Sequence, residues 1–157
     1  MDKIIWYEFD KFSEFQIIEI NSYNLSISKI DYHNYILFLD KIQISIDKFN
    51  SQIKWDGMWD ISEAKKRLHK NDSLYLLSKM NLPIGHVWYT GEYLYNAFVS
   101  NERIHGESQW FIQQTMLDRY KSGHNQIVLY TEEFNHRAVN FWEKLGFNRV
   151  KKIKTLD

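Results

Sequence analysis

The chain has 157 residues, which suits a single domain burying roughly 68–70% of the surface its unfolded form exposes. Twenty Lys and Arg against twenty Asp and Glu leave no net charge, which removes the long-range attraction that nucleic-acid or anionic-membrane binding relies on. With no cysteine there is no disulfide framework, no thiolate metal or iron-sulfur site and no Cys nucleophile.

In chain order, Ile4 to Phe9 fits a strand, while Phe9, Phe12 and Phe15 followed by Ile18 and Ile20 fit a helical stripe equally well, so both readings stand for this segment. Leu25, Ile27 and Ile30, interleaved with Ser26 and Ser28, predict a short strand. From Asp31, apolar residues at Tyr35, Phe38, Leu39, Ile42 and Ile46 recur at helix spacing to about Phe49. Asn50 to Trp59 reads as a loop, and Asp60-Ile61-Ser62-Glu63 is an aspartate form of the capping box that opens a helix to about Lys70. Leu74 to Met80, Ile84 to Tyr89 and Tyr93 to Val99 form an antiparallel meander, with turns at Asn81-Leu82-Pro83 and Thr90-Gly91. A polar loop at Asn101 to His105 leads into a helix from Gly106 to about Lys121, which Gly123 ends. Ile127 to Thr131 is a strand, Asn135 caps a helix that Gly146 ends, and Phe147 to Ile153 is a last strand. This order predicts an α/β (α+β) fold, a mixed and mostly antiparallel sheet with helices on both faces, in one domain spanning 1–157.

Several chemistries are excluded by spacing. The six glycines never stand closer than six positions apart, which forbids the dinucleotide fingerprint, the nucleophile elbow and the phosphate-binding Walker loop. No two histidines lie three or four apart, so no metal site is expected. The longest stretch without charge, Met80 to Gly91, is too short for a membrane span. The segment from Met1 to Trp6 lacks the cationic and apolar regions of a secretion signal, so a cytoplasmic location is expected.

The chemistry concentrates where the last strand of the meander meets the next helix, at Ser100-Asn101-Glu102-Arg103-Ile104-His105-Gly106-Glu107-Ser108. A helix N-terminus carries unpaired N–H groups and partial positive charge, so a turn wrapped around it can hold a phosphate. Arg103 to Ser108 resembles the pyrophosphate loop [QR]-x-x-G-x-[GA] of the GNAT superfamily of acetyl-CoA-dependent N-acetyltransferases, apart from Ser108 at the last position. A second motif, Asn135-His136-Arg137-Ala138-Val139-Asn140-Phe141-Trp142-Glu143-Lys144-Leu145-Gly146-Phe147, resembles the family's N-x-x-A-x-x-F-Y-E-K-x-G-F, with Trp142 where the family has tyrosine.

The resemblance implies acetyl-CoA as cofactor, its pyrophosphate held by the backbone of Arg103, Ile104, His105, Gly106, Glu107 and Ser108. It also implies that the pantetheine arm pairs with the main chain near Ala97 and Phe98, with Asn135, Phe141 and Trp142 on its other side. Glu92 stands at the offset before the loop that a catalytic glutamate occupies in the histone-acetylating branch, and is the expected general base. An indole does not readily release a proton, so Trp142 is not an obvious acid for the departing thiolate. The implied activity is transfer of the acetyl group to a primary amine of a small molecule or peptide. The alternative is a catalytically weak acyl-CoA-binding or protein-interaction module.

Lys54-Trp55-Asp56-Gly57-Met58-Trp59-Asp60 places two indoles beside two carboxylates, and Trp55, Asp56, Trp59 and Asp60 are the expected acceptor contacts. In the family the seventh strand lies between the fifth and sixth, and here the chain ends soon after its sixth. Residues 1–24 are expected to be an N-terminal extension at the opposite sheet edge, with Ile4 to Phe9 completing the sheet of a second copy in a homodimer, although direct pairing of the fifth and sixth strands would satisfy the same groups within a monomer.

Overall fold

The computed structural model describes residues 3–53, 60–70 and 72–151. Eleven regular elements follow one another, β1 (Ile4–Phe9), β2 (Leu25–Ile30), α1 (Leu39–Gln52), α2 (Ile61–Leu68), β3 (Ser73–Lys79), β4 (Leu82–Thr90), β5 (Tyr93–Val99), α3 (Glu107–Lys121), β6 (Ile127–Glu132), α4 (His136–Lys144) and β7 (Asn148–Val150). Seven strands form one sheet in the order β2-β3-β4-β5-β6-β1-β7, antiparallel at every junction except β5 with β6.

One face of the sheet packs on α3 and α4 through a core that includes Tyr7, Phe9, Leu77, Val87, Phe111, Met116, Leu129 and Trp142. The other face, over β2 to β5, packs on α1 and α2 through Ile42, Ile46, Phe49, Ala64, Leu68, Leu76, Trp88 and Phe98. The predicted mixed sheet with helices on both faces is the observed architecture.

The local differences from the sequence reading have physical causes. Asp31 does not open a helix, because its Oδ1 accepts the N–H groups of His33 and Asn34 while Asn34 Oδ1 accepts the N–H of Asp31. That side-chain turn competes with helix formation. The chain then passes through a 3-10 turn at Tyr35–Phe38, and α1 starts only at Leu39. At the other end α1 continues through Gln52, into the stretch read as loop, since Phe49 still has the sheet to pack on.

The larger correction concerns the N-terminal segment. Ile4 to Phe9 is a strand, and it does not reach out from the opposite edge. It lies within its own sheet, paired antiparallel to β6 from Ile4↔Glu132 to Phe9↔Ile127 and to β7 at Trp6↔Val150, Tyr7↔Arg149 and Glu8↔Asn148. The slot expected to stand empty is filled by the chain itself, so the unpaired edges invoked for a second copy are satisfied internally. Tyr7 and Phe9 are fully or almost fully buried there, each contributing about 1.5–3 kcal/mol by apolar burial. Tyr7 also donates to Glu143 Oε2 at 2.6 Å, and Arg149 grips the same carboxylate at 2.9 and 3.0 Å, tying β1, α4 and β7 together. Gly146 ends α4 at a φ of +96°, and a Cβ there would stand 3.3 Å from the Phe9 ring. The glycine of the second motif thus serves both the helix stop and the seating of β1.

Candidate functional site

Among the described residues β5 and β6 are the only parallel neighbours, and they are paired at one position, Tyr93↔Val128, with Val128 N–H donating to the Glu92 carbonyl at 3.0 Å. Beyond that apex the two strands separate toward their C-terminal ends. A β-bulge helps to turn β5 away: Trp88 faces Asn96 and Tyr89 faces Leu94, which leaves Tyr95 as the extra residue. The result is a V-shaped cleft. Helix α3 begins after the end of β5 and α4 after the end of β6, so both helix N-termini stand at its open end. Crevices outside the C-terminal ends of parallel strands are where open α/β sheets bind ligands.

The turn between β5 and α3 is held from both sides. Ser100, fully buried, donates its N–H to Ile84 O at 2.7 Å, Gln52 Oε1 accepts the Asn101 N–H at 2.9 Å, and Lys48 pairs with Glu102 at 2.7 Å. Arg103 turns inward, its Nη1 donating to the carbonyls of Val99 and Ser100 at 3.0 Å each. Glu107, the first residue of α3, is completely buried. It accepts the Ile104 N–H at 2.7 Å and lies 3.1 Å from Lys79 Nζ. Burial alone would raise the Glu107 pKa, but the Ile104 N–H, the nearby Ser22 hydroxyl and the Lys79 ammonium with its charge hold it below the ordinary glutamate value.

Gly106 caps α3 at a φ of +89°, with Ile20 3.2 Å from where its Cβ would lie. Of the six residues expected to hold a pyrophosphate, Arg103 and Glu107 give their N–H groups to Ser100 O and Ile104 O, and Ile104 gives its own to Glu107. Among the described residues the N–H groups of His105, Gly106 and Ser108, and of Gln109 beyond them, have no protein partner. Unpaired N–H groups at a helix N-terminus are the kind of arrangement that can hold an anion. Beside it, residues 17–25 run past Trp110 and Gln114 and leave a groove of about 530 Å³. Gln113 fixes that segment, accepting the Ile18 N–H and donating to Gln16 O.

The remaining expected residues fall at several places. Ala97 and Phe98 lie on β5 along the cleft, Phe98 buried toward α1. Asn135 is the N-cap of α4, accepting the Ala138 N–H at 3.2 Å. Phe141 is half-buried, whereas Trp142 is 8% exposed and packs its ring against Phe141 and Phe147. Glu92 is half-buried one residue before the apex, its Oε2 accepting from Gln126 at 2.7 Å. Asp60 caps α2, accepting the Glu63 N–H and the Ser62 hydroxyl, while Trp55, Asp56 and Trp59 lie outside the described residues.

Sequence reasoning passed over a buried polar group on the α1 side of β5. His86, on β4, bonds Ser45 through Nδ1 at 2.8 Å and Asn96 through Nε2 at 2.7 Å. Burial pushes its pKa down to about 4, the Asn96 bond opposing, so the ring is neutral at physiological pH. The available signal was a histidine in the middle of an otherwise apolar strand.

No family model matches the chain. No curated protein matches it either. Solved structures do. An aminoglycoside N-acetyltransferase, AAC(6')-Iy, in complex with CoA is 11% identical, with a TM-score of 0.63 over 90% of this chain and 98% of its own. An aminoglycoside acetyltransferase from an uncultured soil metagenomic sample is 17% identical, with a TM-score of 0.60 over 85% of this chain and 97% of that one. A Drosophila protein is 8% identical at a TM-score of 0.67 over 95% of this chain, which spans 48% of that longer one. The fold is that of the GNAT acetyltransferases.

Proposed function

We propose that the protein is an acetyl-CoA-dependent N-acetyltransferase whose acceptor is a primary amine of a small molecule or peptide. The observation that carries this reading is the cleft between β5 and β6, which opens onto N–H groups around left-handed Gly106 that have no protein partner among the described residues. The CoA bound by AAC(6')-Iy, and the amine-bearing antibiotics named for it and the metagenomic enzyme, support both halves of the reading.

In this proposal the amides of His105, Gly106 and Ser108 hold the pyrophosphate, and the groove beside Trp110 receives the nucleotide end. The free edge of β5 near Ala97 and Phe98 pairs with the pantetheine arm as an added strand would, opposite Asn135 and Phe141. The thioester then lies toward the apex. The amine nitrogen attacks the thioester carbonyl carbon, the C–N bond forms as the C–S bond breaks, and the electron pair of that bond leaves on sulfur. A lysine-like amine with a pKa of about 10.4 must lose a proton to attack. Glu92 stands next to the apex, and its Oε1 has no protein partner among the described residues, so it is the base this proposal names.

Acetyl-CoA titrated by calorimetry, combined with a panel of amines and detection of released thiol, tests the reading. Binding together with amine-dependent thiol release is expected, and Glu92→Gln should lower kcat by about 10²–10⁴-fold. An unchanged kcat would remove Glu92 from the mechanism. One feature favours a second reading, a catalytically weak acyl-CoA-binding protein: the residue in place of the family's tyrosine is Trp142, which is packed in the core. Binding of acetyl-CoA without thiol release from any amine would select it.

A further inference from the structure

Ser45 on α1, His86 on β4 and Asn96 on β5 form a continuous hydrogen-bonded row on the α1 face of the sheet. Ser45 is 1% and His86 2% exposed, with the rings of Phe49 and Phe98 packed against the imidazole. Burying such groups is unfavourable unless they are bonded, and even fully bonded they add little over apolar side chains of the same shape. Stability alone gives no reason to place them there.

The row does something an apolar trio cannot. A carboxamide oxygen only accepts, so His86 Nε2 carries the hydrogen and donates to Asn96 Oδ1, which leaves Nδ1 to accept from the Ser45 hydroxyl. The Asn96 amide is thereby fixed in one of its two flips. Its Nδ2 has no protein partner among the described residues, and the residue is half-buried, so an oriented N–H₂ group is left with its hydrogens available to a ligand.

Its position gives that donor a task. Asn96 directly follows the bulged residue Tyr95, three residues past the apex on the strand that edges the cleft. Tyr95 packs toward α1 while Asn96 reaches His86, so two consecutive side chains project from one face, which a regular strand does not allow. An acyl-CoA anchored at the Gly106 end of β5 would bring its thioester to this part of the strand.

We propose that Asn96 is a catalytic hydrogen-bond donor to the thioester carbonyl oxygen, held in place by His86 and Ser45 as positioning residues. The inference rests on reading the cleft as an acyl-CoA site. When the amine nitrogen attacks, the carbonyl π pair moves onto oxygen and the Asn96 N–H stabilises it. The pair returns as the C–S bond breaks toward sulfur, and the proton of the amine goes to Glu92. A donor already aimed at the developing charge needs no reorganisation during the reaction.

The test binds acetyl-CoA labelled with ¹³C at the thioester carbonyl and reads its infrared stretch on the full-length protein. In the wild type the stretch should fall below that of free acetyl-CoA. In Asn96→Ala and Asn96→Asp it should return to the free value, with the acetyl-CoA dissociation constant changed less than twofold and kcat lowered about 10²–10³-fold. His86→Phe should act in the same direction, and His86→Gln, which keeps a donor toward Asn96, should restore much of the shift. A free-like stretch in the wild type, or a stretch unmoved in folded Asn96→Asp, overturns the assignment. Absence of acetyl-CoA binding to the wild type would instead overturn the acyl-CoA reading, and this inference with it.

Discussion

The two ends of α3 use polar chemistry in opposite ways. At the C-terminal end, Asp118 takes Lys29 at 2.8 Å and the Tyr75 hydroxyl at 2.5 Å, and Thr115 bonds the Tyr89 hydroxyl. Arg119, 5% exposed, donates to Ser73 Oγ, to Gly91 O and to His124 Nε2. A guanidinium has only donors, so His124 Nε2 accepts that bond, and burial and then the Arg119 charge keep the His124 pKa below its ordinary value. The last carbonyls of the helix are taken by the N–H groups of Ser122, Gly123 and His124. At the N-terminal end the surrounding turn is fixed just as firmly, yet four N–H groups have no protein acceptor among the described residues. One end is closed to ligands and anchors the β4–β5 hairpin. The other is rigid and open, the condition for binding an anion without first reorganising.

The comparison breaks most visibly at Arg119. Replacing it by Met leaves three acceptors, on the half-buried Ser73 and His124 and the exposed Gly91, without their charged donor and should lower unfolding free energy by about 2 kcal/mol in urea titrations. Acetyl-CoA affinity of the folded protein should change less than twofold, and a parallel loss of affinity would mean the two ends are not independent.

A smaller effect on stability, with a large one on binding, is expected for Gly106→Ala. The left-handed φ costs a side chain about 1–2 kcal/mol, and the new methyl presses on Ile20. Relief of that strain re-aims the loop amides, so calorimetry should show acetyl-CoA affinity lowered tenfold or more. Retained affinity would sink the anion-site assignment.

The smallest effect sharpens the contrast through pH. The folded-state pKa of Glu107 lies below its ordinary 4.5, so the unfolded chain takes up the proton first as pH falls. The stability this carboxylate contributes is complete above about pH 4.5 and is lost as pH falls through the lower folded-state value. Glu107→Gln should cost about 1 kcal/mol at neutral pH and flatten that part of the acid-unfolding curve. Identical curves for the two proteins would show that the Lys79 pairing does not hold the turn.

How much of this was legible follows the range of each signal. The meander, the caps at Asp60 and Asn135 and the glycine stops depend on neighbours within a few residues, and the sequence pattern identified them. The Arg103 to Ser108 motif was readable, but not the bonding inside it, because the charge paired with Glu107 comes from Lys79, on β3. Ile4 to Phe9 stayed ambiguous because aromatics at Phe9, Phe12 and Phe15 satisfy both periods. Its slot between β6 and β7 depends on residues more than a hundred positions away. The bulge at Tyr95 and the Ser45–His86–Asn96 row are contacts among three elements, and no spacing along the chain encodes them.

The internal placement of β1 also dictates an order of events. Its first partner, β6, begins at Ile127, so a nascent chain has made every helix but the last before β1 can pair. Closing so long a loop carries an entropic cost that must be met before any of these contacts form, which makes docking of β1 a late and slow step. Until then an aromatic strand with free edges is exposed, the state in which chains pair with the wrong neighbour. Joining β1 behind β7 through a short turn would convert that distant encounter into a local hairpin, because the two strands already run antiparallel side by side.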